Sequence, residues 1–348
     1  MKYRTLGKTN FKIADVGIGT WQLANDPEMW VGGDLNESLK ALAKYVELGG
    51  NFIDTAWVYG VADEQVTPTS EELIGKYLKE SGKRDDLIIA SKVAPKNWKW
   101  PAFKDIPFTE VFPTEHVEKL VHESLTRLGV ETIDLMQFHV WQDDWADIDE
   151  WKEATEKLTK EGKIKYWGIS TNDYQPGNCL KTLDTGLIST IQFIFNIFHQ
   201  KPTEKLLPYA KENNIGLIAR VPLDEGGLSG KITMGREFEE GDFRTHYFSG
   251  DRKKKLVDRV EKLQKLVDET DEVDSMVELA LRYILSFDEV STVIPGMRVT
   301  KYVEQNTAFS DEGGLSSELL EKLKEHTWER NFYGGLDPWL ESSNYVEA

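Results

Sequence analysis

Short apolar runs alternate with longer amphipathic stretches along most of the chain. The short runs read as strands at Val16–Thr20, Asn51–Asp54, Leu87–Lys92, Ile133–His139, Tyr166–Ser170, Thr190–Phe195, Gly216–Arg220 and Val290–Ile294. Between them, Asn36–Leu48 places Leu39, Leu42, Ala43 and Val46 on one helical face and ends at Gly49-Gly50. Ser70–Lys79, Thr114–Leu128, Asp149–Glu161, Thr203–Glu212 and Ser275–Ser286 follow the same helical period. Eight strands alternating with helices predict an α/β fold, a (β/α)8 TIM barrel of parallel strands with helical crossovers. Ahead of it, Lys2–Leu6 and Phe11–Ala14 flank Gly7-Lys8-Thr9-Asn10 and predict a hairpin.

Four polar residues follow or end three successive strand-like runs: Asp54, Tyr59, Lys92 and His139. In a closed barrel the carboxyl ends of the strands share one face, so residues distant in sequence meet in one pocket. A free phenol has a pKa of about 10, and a tyrosine exchanging protons near neutrality needs a neighbour that stabilises its phenolate. Lys92 fits that part. Buried alone it would shed its proton, and Asp54 is the carboxylate to keep it charged. His139 can hold a carbonyl oxygen and help polarise it against hydride. No side chain donates hydride, so this chemistry requires a nicotinamide cofactor. Taken singly, each residue has a plainer reading: a cap, a packing tyrosine, a structural histidine.

Three connections are too long to be simple turns. The first, after Lys92, carries Trp98, Trp100, Pro101, Phe103, Phe108 and Phe112, and the second, after His139, carries Trp141, Asp143, Asp144 and Trp145. Both are candidates to wall a substrate pocket. The third runs from Leu223 to about Asp251 and holds Gly226-Gly227-Leu228-Ser229-Gly230-Lys231, then Arg236 and Arg244. Glycines let backbone amides approach a pyrophosphate, cations complement its charge, and phosphate sites of such barrels often follow the seventh strand. Glycine clusters also mark ordinary turns.

The segments Asp54-Thr55-Ala56-Trp57-Val58-Tyr59-Gly60 and Gln137-Phe138-His139 resemble the catalytic regions of the aldo-keto reductases, where Asp, Tyr, Lys and His occur in this order. The likeness runs from Tyr3-Arg4-Thr5-Leu6-Gly7 through Val16-Gly17-Ile18-Gly19-Thr20-Trp21 to Ile294-Pro295-Gly296. It implies a barrel floored by the hairpin, with Asp54, Tyr59, Lys92 and His139 catalytic. It also implies Thr20 beside the cofactor, and Trp21, Trp57, Trp98 and Trp141 around the substrate.

Further cofactor positions follow from the same likeness. Trp167-Gly168-Ile169-Ser170-Thr171-Asn172 resembles the segment whose Ser and Asn hold the nicotinamide carboxamide, with Gln192 sharing the task. Here Thr171 occupies the usual Asn position and Asn172 comes one later, so either can serve. Gly296, Arg298, Gln305 and Asn306 fall in the adenosine-binding stretch, although Gln305 stands where the family commonly has Glu. Arg298 can pair with a 2'-phosphate, which favours NADPH/NADP+ over NADH. Ala219-Arg220-Val221-Pro222-Leu223 resembles a segment in which an aromatic ring stacks on the nicotinamide. Arg220 either stacks in its place, disfavouring the cationic oxidised ring, or turns to pair with Asp224 or Glu225.

Composition narrows the class. The chain of 348 residues suits one barrel domain with a tail over about 327–348. A formal charge of −18 argues against nucleic acid or an anionic membrane as partner, and an anionic cofactor then needs a local basic site. Cys179 is the one cysteine and suits a reducing cytoplasm. Met1 leads into Lys-Tyr-Arg-Thr without an export signal, and no run approaches a membrane span. His116 and His122 lie at a spacing unsuited to a metal pair, and no Gly-x-Ser-x-Gly elbow is present. The reading is therefore an NADPH-dependent reductase of small carbonyl compounds. The alternative is a cofactor-sensing regulatory protein, since the family includes potassium-channel beta subunits.

Overall fold

A computed structural model of the chain describes residues 1–24, 26, 29–61, 68–103, 105–171 and 174–330. The hairpin forms from β1 (Tyr3–Thr5) and β2 (Lys12–Ala14), paired antiparallel with Arg4 opposite Ile13. Eight parallel strands follow: β3 (Ile18–Gly19), β4 (Phe52–Asp54), β5 (Ile88–Val93), β6 (Ile133–Phe138), β7 (Ile164–Ser170), β8 (Ile188–Ile194), β9 (Gly216–Arg220) and β10 (Thr292–Val293). Each pairs with its sequence neighbour. Parallel bridges from Val16 to Val293 and from Gly19 to Gly296 join the first strand to the last, giving the expected (β/α)8 barrel. The first and last strands are shorter than the apolar runs predicted, because each pairs with its inner neighbour over only two residues and the two meet each other only at single bridges.

Twelve helices occur among the described residues: α1 (Leu35–Glu47), α2 (Ser70–Ser81), α3 (Phe108–Val111), α4 (Thr114–Leu128), α5 (Asp149–Lys160), α6 (Leu180–Asp184), α7 (Leu206–Asn213), α8 (Phe243–Tyr247), α9 (Arg252–Asp268), α10 (Met276–Leu285), α11 (Thr300–Glu312) and α12 (Ser317–Leu323). Local chemistry sets their ends. Thr69 and Glu72 form a capping box that starts α2, and Gly82 ends it in the left-handed region. The helix expected over Thr203–Glu212 is split: a 3-10 turn at Lys201–Thr203 precedes α7, and Lys205 between them is non-helical. No helix among the described residues is long and apolar enough to cross a membrane.

Two apolar layers result. Most buried side chains fill the space between the strands' outer faces and the helices. A smaller cluster of Leu6, Ile13, Phe52, Ala90, Leu135, Ile218 and Ile294 fills the barrel, with Phe11, Ile88 and Tyr166 packed on it, so the hairpin supplies the floor. Space inside is tight: a Cβ on Gly168 would meet the Thr190 hydroxyl at 2.2 Å. Strand side chains alternate with period two, so residues two beyond these inward positions also face inward, at the rim above. Phe52 leads to Asp54, Ala90 to Lys92, Leu135 to Gln137 and then His139, and Ile218 to Arg220.

Candidate active site

The rim residues converge. Lys92 Nζ donates to Asp54 Oδ1 at 2.6 Å, to the Thr55 carbonyl at 2.7 Å and to Tyr59 Oη at 3.3 Å. Lys92 is fully buried and Asp54 2% exposed. The other Asp54 oxygen accepts from Gln192 Nε2 at 2.7 Å and Gln137 Nε2 at 3.4 Å, so both carboxylate oxygens are engaged and the group is fixed. Behind it, the Ser70 hydroxyl donates to the Thr20 hydroxyl, which donates to the Asp54 carbonyl. This chain anchors the start of α2 to the end of β4. The His139 ring meets Tyr59 edge-on at 5.9 Å between centroids, and Trp100 at 5.7 Å. Its Nδ1 is buried without a hydrogen-bond partner.

Electrostatics assign protonation states. Burial pulls the Lys92 pKa down, but Asp54 and Tyr59 outweigh it and the ammonium is held above its ordinary value. Burial pushes the Tyr59 phenol above its ordinary value, and Lys92 opposes this without cancelling it. The sequence suggested a phenol made acidic by lysine. In the folded site, desolvation wins and Tyr59 rests as a proton donor. His139 lies well below the ordinary histidine value, through burial and then the nearby Lys92 and Arg220 charges, so it is a neutral imidazole.

These groups open into a cavity of about 1100 Å³. Asp54, Tyr59, His139, Thr20, Ser170, Thr171, Gln192, Arg220, Pro222, Leu223, Lys231, Arg244, Gly296, Arg298, Gln305, Asn306, Trp21 and Trp98 all line it. Asn172 falls outside the described residues. Five expected positions do not line it: Lys92 sits fully buried behind Asp54 and Tyr59, and four others lie elsewhere. Trp141 is fully buried among Phe108, Phe138, Trp145 and Trp151, its Nε1 bonded to Thr182, because the aromatic residues of the first two connections pack mainly on one another. Trp57 turns to Glu123, its Nε1 donating at 2.8 Å, with the Arg127 guanidinium 4.8 Å over its ring. Gly227 packs against Asp224 and Leu256, and Gly230 ends a turn at φ +69°.

The lining inverts the charge of the chain. Arg220, Lys231, Arg236, Arg244 and Arg298 face the cavity against Asp26, Asp54 and Glu225, in a protein of formal charge −18. Burial and then Arg244 lower the Arg298 pKa, the mark of cations crowded together. An extended dianionic or trianionic ligand fits such a wall. Beside Asp54, Ser170, Thr171 and Gln192 line the cavity and could hold a carboxamide, with Gln192 Nε2 already committed to Asp54. Arg220 Nη2 reaches the Thr171 carbonyl at 3.4 Å, while Asp224 is bonded to Tyr247 and Arg330. The sequence reading missed Gln137, Gln22 and Trp30. For Gln137 a signal existed, a polar residue two before His139 on the same inward register; Gln22 and Trp30 lie in an irregular connection without one.

A barrel with a buried lysine-carboxylate-phenol line at its carboxyl rim, beside a basic cleft, defines a carbonyl oxidoreductase architecture. The sequence profile of the Aldo/keto reductase family matches residues 15–327, and the chain belongs to that family. The aldo-keto reductase YhdN of Bacillus subtilis (strain 168) is 33% identical over 300 residues, 86% of this chain and 85% of the relative. The NADH-specific methylglyoxal reductase of Escherichia coli (strain K12) is 27% identical over 342 residues, covering 93% and 100%. Among solved structures, the holo form of the aldo-keto reductase AKR11C1 from Bacillus halodurans aligns with a TM-score of 0.71 at 26% identity, covering 94% of this chain and 96% of that one.

Proposed function

We propose that the protein is an NADPH-dependent reductase of aldehydes or ketones that also runs in reverse as an alcohol dehydrogenase. The observation that carries this reading is Lys92, buried and bonded at once to Asp54 and Tyr59, which themselves line a cation-rich cavity. A bound dihydronicotinamide supplies the hydride for the carbonyl carbon. The chain's own groups do the rest. Tyr59 Oη donates its proton to the carbonyl oxygen as negative charge develops there. Lys92 stabilises the phenolate left behind, and Asp54 keeps the ammonium charged while that charge moves. Neutral His139, with a free ring nitrogen, orients the oxygen. In reverse the phenolate takes the alcohol proton.

Arg298, Arg244 and Lys231 are assigned to the cofactor phosphates, with Arg298 on the 2'-phosphate. Because one relative's name specifies NADH, the choice is directly testable: Arg298→Ala should weaken NADPH at least tenfold and leave NADH nearly unchanged, within the range of charge-assisted contacts. Equal losses for both would refute the preference. Turnover tests the reaction class. Purified protein should oxidise NADPH with small aldehydes, and Tyr59→Phe should slow it by orders of magnitude; cofactor binding with no turnover over a broad carbonyl panel would instead favour a sensor.

A further inference from the structure

Asp224 opens the third connection, next to the cavity-lining Leu223 and Glu225, yet its own side chain turns away from solvent. Tyr247 Oη, at the far end of the same connection, donates to Asp224 Oδ1 at 2.9 Å. Arg330 donates to both carboxylate oxygens, to Oδ2 at 3.1 Å from Nη1 and to Oδ1 from Nη2. The two ion-pair side chains are each 1% exposed. One buried carboxylate thus ties together the two ends of a connection and a residue more than a hundred positions away.

The connection it holds is under backbone strain. Val221, Asp224 and Glu225 all have positive φ, at +55°, +51° and +51°, followed by Gly226 at +94°. Non-glycine residues stay in that region only where their surroundings over-determine them. Around this turn lie Glu225, Gly226, Ser229 and Lys231 on the cavity wall, and past it Arg236, Phe238, Phe243 and Arg244. Arg330 is itself locked in place. Its guanidinium stacks 4.2 Å from the Trp328 ring and 5.1 Å from Phe198, and the Trp328 amide donates to the Phe198 carbonyl at 2.8 Å. Arg259 of α9 covers the Trp328 ring at 4.6 Å. The Trp328–Arg330 segment therefore docks on the loop after β8 and reaches through to the loop after β9.

We propose that Asp224 and Arg330 are positioning residues for the phosphate side of the cofactor, so that docking of the Trp328–Arg330 segment and cofactor binding are thermodynamically coupled. Neither residue touches the reacting atoms. Arg330 holds Asp224, Asp224 holds both ends of the strained connection, and the connection presents Lys231, Arg236 and Arg244 to the cavity. Linkage is reciprocal: if undocking the segment weakens the cofactor by some factor, saturating cofactor must hold the segment down by the same factor. This inference rests on the reading of the cavity as a nicotinamide-cofactor site.

Two measurements test it. The first titrates NADPH into wild type, Arg330→Met, Arg330→Lys and Asp224→Asn, following tryptophan fluorescence, alongside steady-state kinetics. Arg330→Met and Asp224→Asn should raise the dissociation constant and the KM for cofactor roughly tenfold or more, a typical coupling, with kcat at saturation retained. Arg330→Lys, which keeps the charge but not the two-point contact, should fall between. A loss of melting temperature with no change in cofactor affinity would overturn the proposal. The second uses wild type alone and so holds if Arg330→Met does not fold: hydrogen exchange at residues 323–330 should slow when NADPH is saturating. Unchanged exchange at saturation overturns the coupling. Failure of wild type to bind either nicotinamide cofactor would instead remove the functional reading beneath it.

Discussion

The two ends of the cavity are built by different means. At the proton-transfer end, Asp54, Gln137, Lys92 and Gln192 stand on strands whose neighbours are fixed by a continuous ladder, and Lys92 shares its register with Gln137. At the cation-rich end, Pro222, Glu225, Gly226 and Lys231 stand on an irregular connection held by the buried Asp224–Arg330 pair. Strand ends inherit their positions from the barrel, whereas the connection depends on a few long-range contacts. The first end should lose chemistry when altered and the second should lose binding.

The largest expected effect separates the two ends. Tyr59→Phe should cost about 10²–10⁴-fold in kcat, the range for a lost general acid, with NADPH affinity retained. Loss of cofactor binding in that variant would mean that the two ends are one structural unit. Next comes the buried ion pair of the rim. Lys92→Met leaves Asp54 charged, buried and without its counter-ion, which should lower unfolding free energy by about 3–5 kcal/mol in denaturant melts. The double variant Asp54→Leu/Lys92→Met should recover much of that stability and none of the turnover. If the double variant is as unstable as the single one, packing rather than charge governs the rim.

A histidine at each end gives a finer comparison. His139 is held well below its ordinary value, and His199, buried beside Arg330, is lowered to about 3, in both cases first by burial. Near pH 6.5 and below, the unfolded chain takes up these protons while the folded protein refuses them. Stability is then complete above about 6.5 and falls as the pH drops toward the folded values, by about 1.4 kcal/mol per unit per histidine. His199→Gln should flatten the acid side of a stability profile between pH 6 and 4 without moving the activity profile. An unaltered slope would show that His199 takes no part in it.

These differences also explain what the residues disclosed beforehand. Asp54, Lys92 and His139 were legible because each ends an apolar run, and period-two alternation leaves one face for it to point to. Trp141 misled, since an aromatic residue just past a strand end reads the same whether it walls a pocket or packs under one; here Phe108 and Trp145 claim it. The helix α9 had a readable face in Leu256, Val260, Leu263 and Val267, obscured by the charged residues at its start. The Asp224–Arg330 pair had no local signal at all. Nothing near either residue marks a partner 106 positions away.

The smallest effect probes the strain of the cation-rich end directly. Val221 is β-branched, precedes a proline and has φ +55°, three features that disfavour one another. Its carbonyl accepts from Asn196 Nδ2 at 2.9 Å and from the Asp224 amide at 3.2 Å, and these bonds hold the conformation. A left-handed valine costs roughly 1–3 kcal/mol, and glycine there would relieve that while adding about 0.5–1 kcal/mol of unfolded-chain entropy. Val221→Gly should therefore stabilise the protein by about 1 kcal/mol, read from denaturant melts. Because relaxation also frees the connection, cofactor affinity should fall slightly as stability rises. If both rise together, the strain serves no purpose in binding, and the connection is shaped by its long-range contacts alone.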